Sequence, residues 1–193
     1  MILSLVLFLA VSNLELDVIS VPLSNDVRAA MTPGGRLEMR REGTVTRIRI
    51  ELDRVAAPSM IAPVYNTYVV WAVSPEGILD SLGELDVNGT KGQFNGTTRL
   101  SELGVLITAE PHFMVDRPSP AVAFRAQPPQ DPRRKRVVLP IGAYDYTMLQ
   151  PTKAAGLHSS VVQARMAFQI AQSLGADRLA PKEFRNEIGR AHV

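Results

Sequence analysis

Three side chains near the middle of the chain have the types and spacing that acid–base or metal chemistry requires. Glu110, His112 and Asp116 fall close together in the sequence, and a carboxylate beside an imidazole can share a proton or a divalent metal ion. A polar β-turn after Pro111 explains the same residues. No second histidine lies at ligand spacing, because His158 belongs to another part of the chain. We therefore predict no catalytic residue, no cofactor and no metal, and keep this loop as the alternative.

Two serines and two asparagines are weaker candidates. Ser159 and Ser160 follow His158, as a nucleophile beside a base would, but serines directly before an apolar helical run are far more often N-caps. Asn88 and Asn95 begin Asn-Gly-Thr sequences that match the glycosylation sequon, and we interpret both as hairpin turns. The chain contains no cysteine, which excludes disulfides and thiolate chemistry, and it lacks a glycine-rich phosphate loop.

The elements that must position these residues have the pattern of an antiparallel β-sandwich. Between residues 65 and 120, short runs rich in Val, Ile, Tyr and Trp are separated by turn sequences such as Pro75-Glu76-Gly77. Upstream, Ile48, Ile50 and Leu52 alternate with charged residues, as in a strand with one buried face. About seven to nine short strands over residues 13–126 predict an immunoglobulin-like β-sandwich domain.

The most apolar predicted strand extends from Tyr65 to Val73 and contains the only tryptophan, Trp71. Trp71 and Tyr68 could line a binding face, but packing in the core is the favoured interpretation. A strand with so few polar residues is expected to be covered on both faces.

The N-terminal residues indicate export. Ile2 to Val11 is an unbroken apolar run of the length of a signal-peptide core, and the small residues Ala10 and Ser12 predict cleavage before Asn13. No Lys or Arg precedes the run, and a buried strand is the alternative. The run is too short to span a bilayer. We interpret residues 1–12 as a signal peptide and expect a periplasmic or outer-membrane-associated protein.

Composition and charge bound the remaining possibilities. A chain of 193 residues with 46% hydrophobic residues supports one core, or one domain and a fragment. A net charge of +2 offers no electrostatic reason to expect nucleic acid as a partner. Residues 127–150 are predicted to be a Pro/Arg-rich linker, and its basic run Arg133–Arg136 is interpreted as a solvated junction, with attraction to anionic headgroups as the alternative.

Residues 151–186 have the pattern of the beginning of a helical domain. Val162, Met166, Ile170 and Leu174 recur every four residues on one predicted helix face, and Gly175 follows as a stop. Proline at 181 begins a second helix, so an incomplete helical hairpin is expected. Residues 187–193, EIGRAHV, resemble a translated sequencing adapter and are given no functional weight.

Two groups of motifs resemble known families. The first resembles an uncharacterised bacterial envelope β domain, and its Tyr-x-x-Trp strand is similar to the extracytoplasmic domain of anti-sigma-K-type proteins; its motifs are Tyr68–Val73, Pro75–Gly77, Leu82–Leu85 and Thr108–Pro111. The second resembles a helical domain of unknown function that often precedes an OmpA-like peptidoglycan-binding domain; its motifs are Gln163–Arg165, Gly175-Ala176 and Leu179–Pro181.

These resemblances imply a non-enzymatic cell-envelope module that positions a downstream OmpA-like domain. Peptidoglycan would be reached only through that downstream domain, and an envelope protein is the expected partner of the sandwich. No nucleic acid and no transmembrane span are expected. The alternatives are a metal-binding or hydrolytic protein that uses the Glu110–His112–Asp116 loop, and an extracytoplasmic regulatory sensor of the anti-sigma type.

Overall fold

A computed structural model describes residues 2–7, 9–10, 13–20, 33–127, 136–141, 146, 149–152 and 156–185. Residues 128–135 of the predicted linker and residues 187–193 of the predicted adapter lie outside these ranges. The strands are β1 Ile2–Leu7, β2 Leu9–Ala10, β3 Asn13–Ser20, β4 Pro33–Glu42, β5 Val45–Asp53, β6 Thr67–Val73, β7 Leu79–Glu84, β8 Asp86–Asn88, β9 Lys91–Thr98, β10 Glu102–Glu110, β11 Val122–Gln127 and β12 Arg136–Ile141. The helices are α1 Ser159–Ser173 and α2 Ala176–Leu179, and residues 181–185 are also helical.

The strands confirm a mainly β, antiparallel fold followed by a short helical segment. Their order in the principal sheet is β7-β6-β10-β11-β3-β4-β5-β9-β8, with β2 paired to β10. The two ends of this order meet, because β7 also contacts β9. The two expected layers are therefore halves of one nearly closed sheet, which folds over a common core. A separate ribbon of β1 and β12 places β1 beside β10 and β11.

Alternating side chains build the main core from the inner face of this sheet. In β5, Ile48, Ile50 and Leu52 are buried while Arg47 and Arg49 are exposed, as the period of two predicts. This inner cluster is the main hydrophobic cluster of the fold, and it continues through the other strands. It includes Tyr68, Val70, Leu37, Phe94, Leu103 and Ile107.

Strand β6 is buried at every position, which confirms the prediction of a strand covered on both faces. Its other side chains, Val69, Trp71 and Val73, belong to an outer cluster with Leu106, Val115 and Val122. Trp71 is 0% exposed, so the interpretation of Trp71 as a core residue is confirmed.

The Asn-Gly sequences do not both form turns. Asn88 pairs with Lys91, so the hairpin turn consists of Gly89 and Thr90, and Gly89 has a φ of 59°. Asn95 and Gly96 lie inside β9 because pairing with β5 continues through them. The interpretation of Asn95 as a turn residue is therefore wrong. Gly96 takes part in the pairing with β5, and the ring of Phe94 occupies the space where a side chain on residue 96 would lie.

The N-terminal apolar residues form a strand, since β1 pairs with β12 from Ile2↔Ile141 to Leu7↔Arg136. A strand is the alternative interpretation given above for this segment. Export and cleavage before Asn13 stay predictions.

The helical segment packs against the strands. Met166 of α1 is 0% exposed and belongs to the main cluster together with Tyr146 and Leu149. Past the turn at Gly175, Phe184 stacks on Phe168 with ring centroids 4.6 Å apart, which folds residues 181–185 back along α1. A domain boundary near residue 127 stays a prediction, but α1 shares a hydrophobic core with the strands before it.

Candidate functional site

The candidate loop joins β10 to β11 at one end of the sheet. Side chains of β10 alternate between faces, so Leu106, Thr108 and Glu110 point to the outer cluster while Ile107 and Ala109 belong to the inner one. Residues 111–121 follow, and Val115 from this loop packs in the outer cluster. Glu110 is therefore a carboxyl group placed at the edge of an apolar layer, where it is 0% exposed.

A chain of hydrogen bonds converges on one oxygen of Glu110. The indole Nε1 of Trp71 donates to Thr108 Oγ1 over 2.8 Å, and Thr108 Oγ1 donates to Glu110 Oε1 over 2.5 Å. The backbone N–H of Ser119 donates to the same oxygen over 2.6 Å. The other oxygen, Oε2, is buried and has no hydrogen-bond partner among the described residues. Half of this carboxyl group is thus satisfied and half is not.

Burial dominates the ionisation of Glu110. Desolvation raises the pKa of the carboxyl from its ordinary value of 4.5 to about 7, against the opposing effect of the hydrogen bonds from Ser119 and Thr108. A buried carboxylate loses its hydration, and only donors aimed at it can compensate for that loss. Because Oε2 has none, the protonated form is favoured up to neutral pH.

The hydroxyl group of Ser119 is hydrogen-bonded to the backbone around it. Its hydroxyl donates to the carbonyl of Ala109 over 2.7 Å and accepts from the backbone N–H of Ala121 over 3.1 Å. A serine nucleophile would instead donate to a general base. These bonds tie the end of the loop to the last residues of β10.

His112 and Asp116 occupy different environments from Glu110. His112 is 8% exposed, its Nδ1 accepts from the backbone N–H of Met114 over 3.2 Å, and burial lowers its pKa. Asp116 is exposed. Within the part of the chain that the structure describes, no group of three His, Cys, Asp or Glu side chains could hold a metal ion. The three predicted residues are neighbours in the sequence, but in the structure each lies in a different environment.

A second polar contact joins this loop to α1 through Gln163, which is 4% exposed. Its Oε1 accepts from the backbone N–H of Phe113 over 2.9 Å, and its Nε2 donates to Glu84 Oε1 over 2.7 Å. The same Glu84 oxygen accepts from Thr67 Oγ1 over 2.5 Å. Sequence reasoning named Gln163 only as part of a motif. Its position beside Val162, on the apolar side of the predicted helix, was the available signal.

The serines before α1 belong to its N-terminus, but they are not the cap. The N-cap is His158, whose side chain accepts from the backbone N–H of Ser160 over 3.3 Å. Its Nδ1 also lies 2.8 Å from Ser160 Oγ. His158, Ser159 and Ser160 are all exposed. The imidazole nitrogen of His158 therefore satisfies one backbone N–H of the first turn, as capping requires.

A shallow trough of about 900 Å³ lies on the exposed face of β3, β4, β5 and β9. Its charged lining consists of equal numbers of acids and arginines: Glu15, Glu38, Glu42, Arg40, Arg47 and Arg49. Arg47 pairs with Glu42 over 2.5 Å and Arg49 with Glu51 over 2.6 Å. Balanced charge on a solvated sheet face does not select a ligand of one sign.

No described helix is both long and apolar enough to cross a membrane. Comparisons of the chain with protein families, with curated proteins and with solved structures return no match.

Proposed function

We propose that this chain is a non-enzymatic cell-envelope module that holds a following peptidoglycan-binding domain at a fixed orientation to the β-sheet body. The observation that carries the proposal is the docking of α1. Met166 enters the main cluster, and Gln163 bonds both to the β10–β11 loop and to β7. A segment that continues from the helical hairpin inherits the direction that these contacts impose.

Apolar and polar contacts together make this dock directional. Apolar burial alone is not directional, so Met166 could tolerate several helix orientations. The two bonds of Gln163 demand one, because its amide must reach Phe113 N and Glu84 Oε1 at the same time. At the other end of the contact, Gln150 N donates to Gln169 Oε1 over 3.2 Å.

The hydrogen bonding of the candidate loop supports a structural role for its polar residues. The N–H of Trp71, the hydroxyl of Thr108 and both polar groups of Ser119 are engaged within the loop and its flanking strands. These donors are hydrogen-bonded within the fold, and Glu110 itself is 0% exposed, so none of these groups is presented to a substrate in solution. This is the reason to prefer a positional function over the hydrolytic or metal-binding alternative.

Rigid docking is tested by a distance measurement on the cysteine-free chain. Spin labels on Thr97→Cys and Gln172→Cys, both exposed positions, report the separation of β9 and the end of α1. We expect one narrow distance distribution, which Gln163→Ala combined with Met166→Ala should broaden. Arg165→Ala, on the exposed side of α1, is the matched control and should leave the distribution unchanged. A broad distribution in the unmodified background would refute a positional role.

Peptidoglycan binding is tested by sedimentation with purified sacculi. The present chain should stay in the supernatant, whereas the product of a genomic reading frame that continues past residue 186 should sediment. Sedimentation of the present chain alone would overturn this division of labour. The metal alternative would be supported by stoichiometric zinc in the purified protein that is lost in His112→Ala.

A further inference from the structure

We propose that Glu110 is a proton-operated latch for the β10–β11 loop, residues 111–121, which stays closed while the carboxyl group is protonated and opens when it ionises. This inference does not depend on the proposed function. It rests on the place of one buried carboxyl group at the point where the loop is fastened to the sheet.

Ser119 is the fastening point. Its backbone N–H reaches Glu110 Oε1 over 2.6 Å, and its hydroxyl reaches the carbonyl of Ala109 over 2.7 Å. Ser119 and Glu110 are both 0% exposed. The first of these bonds ends on the ionisable group, so the protonation state of Glu110 acts directly on the closed loop.

Ionisation makes the closed state costly because one oxygen has nothing to solvate it. Glu110 Oε2 is buried without a hydrogen-bond partner among the described residues. A charge in that position lacks both water and a donor. Opening of residues 111–121 admits water to Oε2, and this hydration favours the open loop once the proton has left.

No described cation forms an ion pair with Glu110, and its pKa responds to burial and hydrogen bonds alone. β1 has no titratable side chain in its sequence, and Tyr68 of β6 points into the inner cluster. The other titratable or charged groups on the surrounding elements are His112, Asp116 and Arg117 of the loop, Asp80 and Glu84 of β7, Glu102 of β10, Arg125 of β11 and Arg136 of β12.

The size of the effect follows from linkage. The carboxyl group has a pKa of about 7 in the closed loop and an ordinary value of 4.5, which we take for the hydrated open loop. The ratio of open to closed molecules should therefore increase about 300-fold as the pH rises from below the lower value to above the higher one. The gain is confined to that interval.

Opening of the loop would also affect α1. Phe113 and Met114 are 42% and 66% exposed in the closed loop, and the N–H of Phe113 bonds to Gln163 of α1. Movement of residues 111–121 therefore removes one of the two hydrogen bonds by which Gln163 orients α1. The proton on Glu110 is in this way connected to the position of the helix.

The chain contains its own reporter for the test. Trp71 is the only tryptophan, and its indole N–H is joined to Glu110 through Thr108. NMR of the indole N–H and hydrogen exchange of the Ser119 amide are followed against pH in the full chain. We expect the indole signal to titrate with a midpoint of about 7, and the Ser119 protection factor to fall by up to about 300-fold over the same range.

Three substitutions separate the latch from other titrations. Glu110→Gln should abolish both pH responses, whereas His112→Gln, the matched control for the neighbouring titratable group, should retain them. Thr108→Val should silence the indole response but keep the Ser119 response, with its midpoint moved to higher pH because Glu110 loses the donor Thr108 Oγ1. If both responses persist in Glu110→Gln, or disappear in His112→Gln, the latch is wrong. It is also wrong if Ser119 protection in the unmodified chain does not change with pH.

Discussion

The docking of α1 predicts a specific cost for Gln163→Ala. The substitution leaves the backbone N–H of Phe113 without its acceptor in a partly buried contact, and a buried donor left unsatisfied costs about 1–3 kcal/mol. It also removes one donor from Glu84, an exposed residue for which water can substitute at little cost. We therefore expect a loss of about 2 kcal/mol in the free energy of unfolding, dominated by Phe113.

Urea denaturation followed by two probes measures this loss. Fluorescence of Trp71 reports the outer cluster of the sheet, and circular dichroism in the helical region reports α1. Because Met166 belongs to the main cluster, both probes should show one coincident transition, as a cooperative unit requires. Gln163→Ala should shift both midpoints together.

Gln169→Ala is the matched control for the dock. Gln169 is also on α1 and accepts one backbone N–H, that of Gln150, but this contact is exposed. Its substitution should cost less than about 0.5 kcal/mol. A cost of that small size for Gln163→Ala would refute the argument. So would a helical transition that shifts alone, because it would show that α1 folds independently of the strands.

Three further outcomes are expected. The pKa of Glu110 is raised on folding from 4.5 to about 7, so its contribution to stability is complete below the lower value and is lost as the pH rises to the higher one. Denaturation should show a decrease of up to about 3 kcal/mol over this range, because opening of the loop limits the loss. Glu110→Gln should remove this decrease. Gly35→Ala should prevent folding or cost more than about 3 kcal/mol, since its Cβ would lie 2.0 Å from the carbonyl oxygen of Glu51, whereas Gly43→Ala, with nothing within 4 Å, should cost about 1 kcal/mol; equal melting midpoints for the two would contradict this reasoning. Trp71→Ala should cost about 3–5 kcal/mol, and an unchanged melting midpoint would argue against the core position of Trp71.

Strand periodicity and helix boundaries could be predicted from the sequence because they depend on neighbouring residues. Ile48, Ile50 and Leu52 alternate with charged residues, and a strand places such residues on opposite faces whatever its partners are. Gly175 ends α1 because glycine readily adopts the left-handed conformation, here with a φ of 82°. The mainly β fold followed by a short helical segment follows from such local patterns.

Turns within the sheet could not be predicted in the same way. The sequence Pro33-Gly34-Gly35 has the composition of a turn, yet it lies in β4. Gly35 is needed there because the backbone of Glu51 in β5 approaches it too closely for any side chain. Only the pairing of β4 with β5 reveals this, since the approaching residue is distant in sequence.

The candidate site, too, could be predicted from the sequence only in part. The sequence by itself identified Glu110, His112 and Asp116 as titratable neighbours, and residue type was enough for that. The tertiary structure alone decided that Glu110 is buried beneath its own loop with one oxygen unpartnered, and that Gln163 of α1 bonds to Phe113 and Glu84. Ionisation and docking depend on water and on partners far away in the chain, and both are determined only when the chain has folded.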